Sequence, residues 1–174
     1  SKERVRAALH ALGISLPPKR MTINLAPADV AKAGSHYDLA IVTGVLSALD
    51  ILPANDFEDS VILGELSLDG SIRSVTGILP TALYAASTNR RLICPHGSKA
   101  EAVWAGKLDI VAPNHLLQLV NHIKGSQLLA APSPSQDDLT KHDAPPATDF
   151  AQIKGQESAK RALEIAAAGG HNIL

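Results

Sequence analysis

Ser35, His36 and Asp38 fall within four residues of one another in the stretch "GSHYDLA". A serine hydroxyl, an imidazole and a carboxylate are the parts of an acyl-transfer triad: nucleophile, base and orienting acid. Their closeness in sequence argues against that use, because triads are assembled by the fold from distant positions. The same residues suit a helix start better. Ser35 reads as an N-cap, and Asp38, three residues on, favours the positive end of the helix dipole. Cys94 and His96 offer a thiolate and an imidazole to a metal, but two ligands without companions make no closed site. His115 and His122 share a helix two turns apart, too far for the usual i, i+4 metal pair. No catalytic residue and no metal site is expected from these groups. Trp104 reads as a packing anchor on an alanine-rich helix. Glu65, Asp69 and Arg73 alternate with apolar neighbours and read as the solvent face of a hairpin. Neither Gly-x-x-x-x-Gly-Lys nor Gly-x-Gly-x-x-Gly occurs, so the 174 residues carry no recognisable phosphate cradle.

The elements that must position these groups follow from periodicity. "SKERVRAALHALG" predicts an amphipathic helix with Val5, Leu9 and Leu12 on one face. Met21–Leu25 predicts a strand fenced by prolines, and "HYDLAIVTGVLSALD" predicts a buried helix. "SVILGELSLDGSIRSV" predicts a hairpin around Asp69-Gly70, a turn pair that accepts positive φ. Then come a helix opened by Gly77 and Pro80, a short strand "RLICP", a helix "SKAEAVWAG" and a strand "LDIVAP". The helix "NHLLQLVNHIKG" follows, capped by Asn114 and stopped at Gly125. Strands and helices alternate, which predicts an α/β (α+β) domain with a mixed sheet over residues 1–125. Residues 126–148 hold four prolines with Ser and Asp and no apolar period, the chemistry of a flexible linker. From residue 149 a second unit begins. Its helix Gln156–Ala168 carries Ala159, Ala162, Leu163 and Ala166 at helical spacing and ends at Gly169-Gly170.

Composition narrows the function classes. Hydrophobic residues make up 45% and charged ones 19%, as in ordinary globular chains, while aromatics at 3% leave the core to Ala, Leu, Ile and Val. Sixteen basic against seventeen acidic residues give a net charge of −1, so no bulk positive field steers the chain onto nucleic acid. With Cys94 as the only cysteine, an internal disulfide and a zinc site of several thiolates are both excluded. No apolar stretch approaches a membrane span and no signal peptide opens the chain, so a cytoplasmic protein without membrane contact is expected. The chain starts inside a helix without an initiator Met and stops on the first residues of an apolar strand. Both ends read as cut.

Three runs together carry a resemblance: "RVRAALHALGISLPPKRMTINLAPADVAKAGSHYDLAIVTGVL", "LGELSLDGSIRSVTGILPTALYAA" and "GQESAKRALEIAAAGGHNIL". They resemble the N-terminal region of the magnesium-chelatase-like AAA+ ATPases of the ComM/YifB competence-protein family. The resemblance implies that residues 1–125 take a Lon-protease-domain-like fold, related to a ribosomal-protein domain and lacking its first strands. Residues 149–174 would then open an AAA+ module whose Walker A loop lies past Leu174. Lon-type peptidases use a serine nucleophile and a lysine base. At the matching places this chain has His36 and Leu79, with Ser35 one residue early and no lysine between Lys32 and Lys99. A hydroxyl with no base is a poor nucleophile, so the resemblance implies a non-catalytic domain. It also places Ile153, Gly155 and Gln156 on the adenine side of an incomplete nucleotide site. The parent would use ATP and Mg²⁺ and form a ring homo-oligomer together with the rest of the module. It would act on DNA in branch migration during natural transformation. The alternatives are a regulatory protein-binding domain of an ATPase with no DNA role, and a residual Lon-like peptidase using Ser35 and His36.

Overall fold

The computed structural model describes residues 1–18, 20–26, 34–132 and 152–173. The chain divides into two compact units, Ser1–Ser135 and Gln136–Leu174.

In the first unit, strand alternation sorts the core. Strands β1 (Ser60–Ile62), β4 (Arg91–Ile93) and β5 (Ile110–Val111) form a parallel sheet in the order β1-β4-β5. Leu92 pairs with Ile110 and Ile93 with Val111. Because successive side chains point to opposite faces, Leu92, Cys94, Ile110 and Ala112 join one buried cluster, while Ile93 and Val111 join another. Helices therefore cover both faces, as a parallel sheet requires. Helices α4 (Ile78–Ser87) and α5 (Lys99–Val103) supply Ile78, Ala82, Ala85 and Ala102 to the first cluster. Helices α1 (Lys2–Ala11), α2 (Asp38–Ala48) and α6 (Leu116–Ile123) supply Leu9, Leu39, Val42, Leu46, Leu116 and Leu119 to the second. Helix α3 (Asn55–Glu58) is a single turn ahead of β1.

The expected long hairpin is divided. Its apolar first half, Ser60–Ile62, leaves at Leu63-Gly64 and becomes the half-buried parallel strand β1. The second half supplies β2 (Glu65–Leu66) and β3 (Ile72–Arg73), which pair antiparallel. The turn stays where Asp69-Gly70 places it. Ser67 N–H donates to the Ser71 carbonyl, Gly70 N–H to the Ser67 carbonyl, and Gly70 takes φ 91°, the left-handed last position of a three-residue hairpin loop. The strands thus fall into an all-parallel sheet and a separate hairpin, in place of one mixed sheet.

Met21–Leu25 is not a strand in this structure. It carries strand-like residues, but no neighbouring strand pairs with it among the described residues, and all five positions are exposed. Past Gly125 the chain remains attached for a few residues: Ser126 N–H donates to the Asn121 carbonyl and Leu129 N–H to His122 Nδ1 at 3.0 Å. Residues 133–148 of the expected linker, and residues 27–29 in the run "NLAPAD", lie outside the described residues.

The second unit contributes helix α7 (Glu157–Gly169), within one residue of its expected bounds. Gly170 ends it at φ 62°, the left-handed conformation that glycine enters without a Cβ penalty. Ala166 is buried, whereas Leu163 and Ile165 are exposed.

Candidate functional site

The carboxyl ends of parallel strands are where α/β folds hold ligands, and Ser35 and His36 lie there, in the turn entering α2. Backbone bonds fix that turn beside the end of β1: Gly64 N–H donates to the His36 carbonyl at 2.9 Å, and Leu39 N–H to the Gly64 carbonyl at 3.0 Å. Helix α2 begins at Asp38 behind Tyr37, so Ser35 is not its N-cap. The Ser35 hydroxyl instead donates to Glu65 Oε2 on β2, a charge-assisted bond that outcompetes capping. His36 turns elsewhere, its Nε2 lying 3.3 Å from Thr76 Oγ1 just before α4. The adjacent serine and histidine therefore engage different partners.

Asp38 is fully buried, and its work is structural. It accepts Arg4 Nε at 2.5 Å and Arg4 Nη2 at 3.2 Å from α1, and Leu66 N–H at 3.4 Å from β2. One carboxylate thus ties together two helices and the hairpin. Burial alone would raise its pKa; the Arg4 guanidinium, Ser1 and the Leu66 amide together outweigh that and hold it below the usual carboxylate value.

Leu79, at the place matching a Lon-type lysine, sits half-buried in the first turn of α4, where its N–H donates to Glu101 Oε1 at 2.9 Å. An alkyl side chain takes up no proton, so Leu79 itself cannot act as a base. What the arrangement presents is a hydroxyl bound to a carboxylate and an imidazole resting on a threonine.

The remaining chemistry-bearing residues are dispersed. Cys94 is fully buried, and desolvation followed by the nearby Glu101 charge pushes its thiol up to about 12. His96 instead sets Nδ1 3.2 Å from the Ala112 carbonyl. Among the described residues, no group of three or more His, Cys, Asp or Glu stands within reach of a shared metal ion. Trp104 is 66% exposed and is not the packing anchor expected, because α5 ends at Val103 and turns it outward. Asn114 yields the α6 cap to His115. The His115 ring accepts from Leu117 N–H through Nδ1 at 3.1 Å, which leaves Nε2 to donate to the Asp69 carbonyl at 3.0 Å. Asp69 in turn binds Ser71 through both carboxylate oxygens, which lowers its pKa. Arg73 donates to Ser67 Oγ at 2.9 Å. Of the three hairpin charges, Glu65 departs most from the plain solvent-face reading, since Ser35 binds it.

In the second unit, Ile153, Gly155 and Gln156 lie on the exposed approach to α7. Gly155 and Gln156 both adopt left-handed backbone, at φ 72° and 61°, and the Gln156 side chain makes no capping bond. Ile153 and Gln156 are both exposed.

With this geometry in hand, comparison with known families places the chain. Residues 1–98 match the family described as subunit ChlI of Mg-chelatase, and residues 149–174 match magnesium chelatase, subunit ChlI. YifB of Escherichia coli K12 is 35% identical over 176 residues, covering all of this chain and 34% of that protein. YifB of Salmonella typhimurium is 38% identical over 175 residues, and competence protein ComM of Haemophilus influenzae is 37% identical over 179, each with the same coverage. The chain spans about a third of the length of these curated relatives.

Proposed function

The chain belongs to the magnesium-chelatase-like ComM/YifB family of AAA+ proteins, and from that premise we propose that it is a non-catalytic module of an ATP-hydrolysing, DNA-acting machine. The observation that carries the non-catalytic part is the state of the Ser35 turn. Its hydroxyl is bound to Glu65, its neighbouring imidazole faces Thr76, and Leu79 stands where a peptidase lysine would. The parent supplies hydrolysis with ATP and Mg²⁺, working as a ring of identical subunits. A Mg²⁺-bound triphosphate brings a phosphoryl group polarised for attack by water. The contribution of this chain is to flank the base through Ile153 and Gln156, while Gly155 lets the backbone turn close to it. Support for a role on DNA comes from the competence protein among the relatives. In this reading the first unit transmits or receives partners at the ring and does no covalent chemistry.

The test is direct. Full-length protein and residues 1–174 are each incubated with Mg-ATP, and separately with unfolded casein. Turnover of ATP by the full-length protein alone, with casein intact in both, is the expected result. Casein cleavage abolished by Ser35→Ala would overturn the non-catalytic assignment.

A further inference from the structure

The outer side of the layer formed by α4 and α5 carries large apolar groups in water. Trp104, the single tryptophan of the chain, is 66% exposed, and Leu83 and Tyr84 on α4 are 51% and 53% exposed. Ala82, Ala85 and Ala102 face the sheet and are buried, so helix phase holds Leu83 and Tyr84 outward. Tryptophan and tyrosine are enriched at protein interfaces because they bury much apolar area at little entropic cost. Charge beside this surface narrows the occupant. From Trp104 the chain turns tightly, Gly106 N–H donating to the Val103 carbonyl, and reaches a cleft at Lys107. Arg90, Asp56 and Asp59 line the same cleft, where Arg91 is paired with Asp109 at 2.6 Å. Among the described residues, Arg90, Lys107, Asp56 and Asp59 make no ion pair. A polyanionic strand laid here would meet both carboxylates. The same set is complementary to itself: turned about a two-fold axis, the cations of one copy face the carboxylates of another.

We propose that this face is a two-fold interface between two copies of the chain. Trp104 is its apolar anchor, and Arg90 and Lys107 of one copy are set against Asp56 and Asp59 of the other. A uniformly charged patch would repel its own image, whereas equal numbers of opposite charges steer two copies into one register. Such a pairing joins like surfaces and so differs from the head-to-tail contacts that close a ring. It does not rest on the ATP-driven reading above.

Sedimentation equilibrium of residues 1–174 over a wide range of concentration tests the pairing. The chain should pass from monomer to dimer, and Trp104→Ala should weaken the dimer at least about thirtyfold, the loss expected of an interface anchor. One variant carries Arg90→Glu with Lys107→Glu, and a second carries Asp56→Lys with Asp59→Lys. Each alone should stay monomeric, because like charges then meet across the axis. An equimolar mixture of the two should dimerise, since the mixed pair restores opposite charges at both contacts, and that recovery excludes misfolding as the cause. A chain that remains monomeric up to about 1 mM overturns the proposal. So does a dimer that survives Trp104→Ala or either charge reversal, and so does a mixture that stays monomeric. Salt-dependent quenching of Trp104 fluorescence by a single-stranded oligonucleotide, without self-association, overturns it in favour of nucleic acid.

Discussion

Replacing Asp38 by asparagine preserves volume and removes a charge from a position with no exposed surface. Breaking one side of a buried ion pair costs about 3–5 kcal/mol when both partners are dry. Here the guanidinium partner keeps 33% of its side chain in water, and the asparagine oxygen still accepts from Leu66. The expected loss at Asp38 is therefore nearer about 2 kcal/mol, the scale of a hydrogen bond to a charged group. For a unit of this size that lowers Tm by roughly 6–10 °C. The pH dependence separates this account from simple mispacking. Because the Asp38 pKa is lowered in the folded state, its contribution is complete above the unfolded value of about 3.9 and is lost as pH falls through the folded value. Urea unfolding of wild type and Asp38→Asn at a series of pH values should show the full gap at neutral pH, closing below about pH 4. A gap that stays constant into acid would refute the electrostatic reasoning. So would a neutral-pH gap below about 0.5 kcal/mol, a size ordinary for surface substitutions.

Ser35→Ala should cost about 1 kcal/mol, the net value of one hydrogen bond, visible as a lower urea midpoint; an unchanged midpoint would mean the Glu65 contact contributes nothing. His115→Ala removes the α6 cap and the donor to Asp69, and is expected to cost about 1–2 kcal/mol by the same measurement. The Cys94 thiol, buried and raised to about 12, should stay unreactive toward a chromogenic disulfide until the protein unfolds; rapid labelling of the native chain would contradict its burial. Calorimetric titration of residues 1–174 with Mg-ATP should give at most weak binding, since the proposed contacts from Ile153 and Gln156 would reach the base alone; tight Mg²⁺-dependent binding would require a phosphate site elsewhere.

What the sequence made legible was local. Apolar periodicity located α1, α2, α4, α6 and α7, and Asp69-Gly70 located the hairpin turn, because neighbouring residues determine both. What it concealed depends on distant partners. Nothing near Ser35 signals that Glu65, thirty positions away, takes its hydroxyl, or that Arg4 reaches Asp38 across thirty-four. The cap of α6 was misplaced by one residue because asparagine is the commoner cap and His115 qualifies only through its ring nitrogen. "SVILGELS" reads as one continuous alternation, and only the presence of Arg91–Ile93 beside it decides that Ser60–Ile62 pairs in parallel. Trp104 misled for a related reason, since helix phase alone cannot tell where α5 stops. The residue types of Ser35 and His36 suggest a shared chemistry, but the two side chains serve different partners, Glu65 and Thr76.

The central claim is that this chain is the non-catalytic part of an ATP-driven machine that works on DNA. The measurement bearing on it most directly is ATP hydrolysis by the full-length protein, with and without Mg²⁺, in the presence of branched, duplex or no DNA. The account predicts Mg²⁺-dependent turnover that branched DNA stimulates, with none from residues 1–174. Turnover indifferent to every DNA, or hydrolysis by residues 1–174 alone, would contradict it.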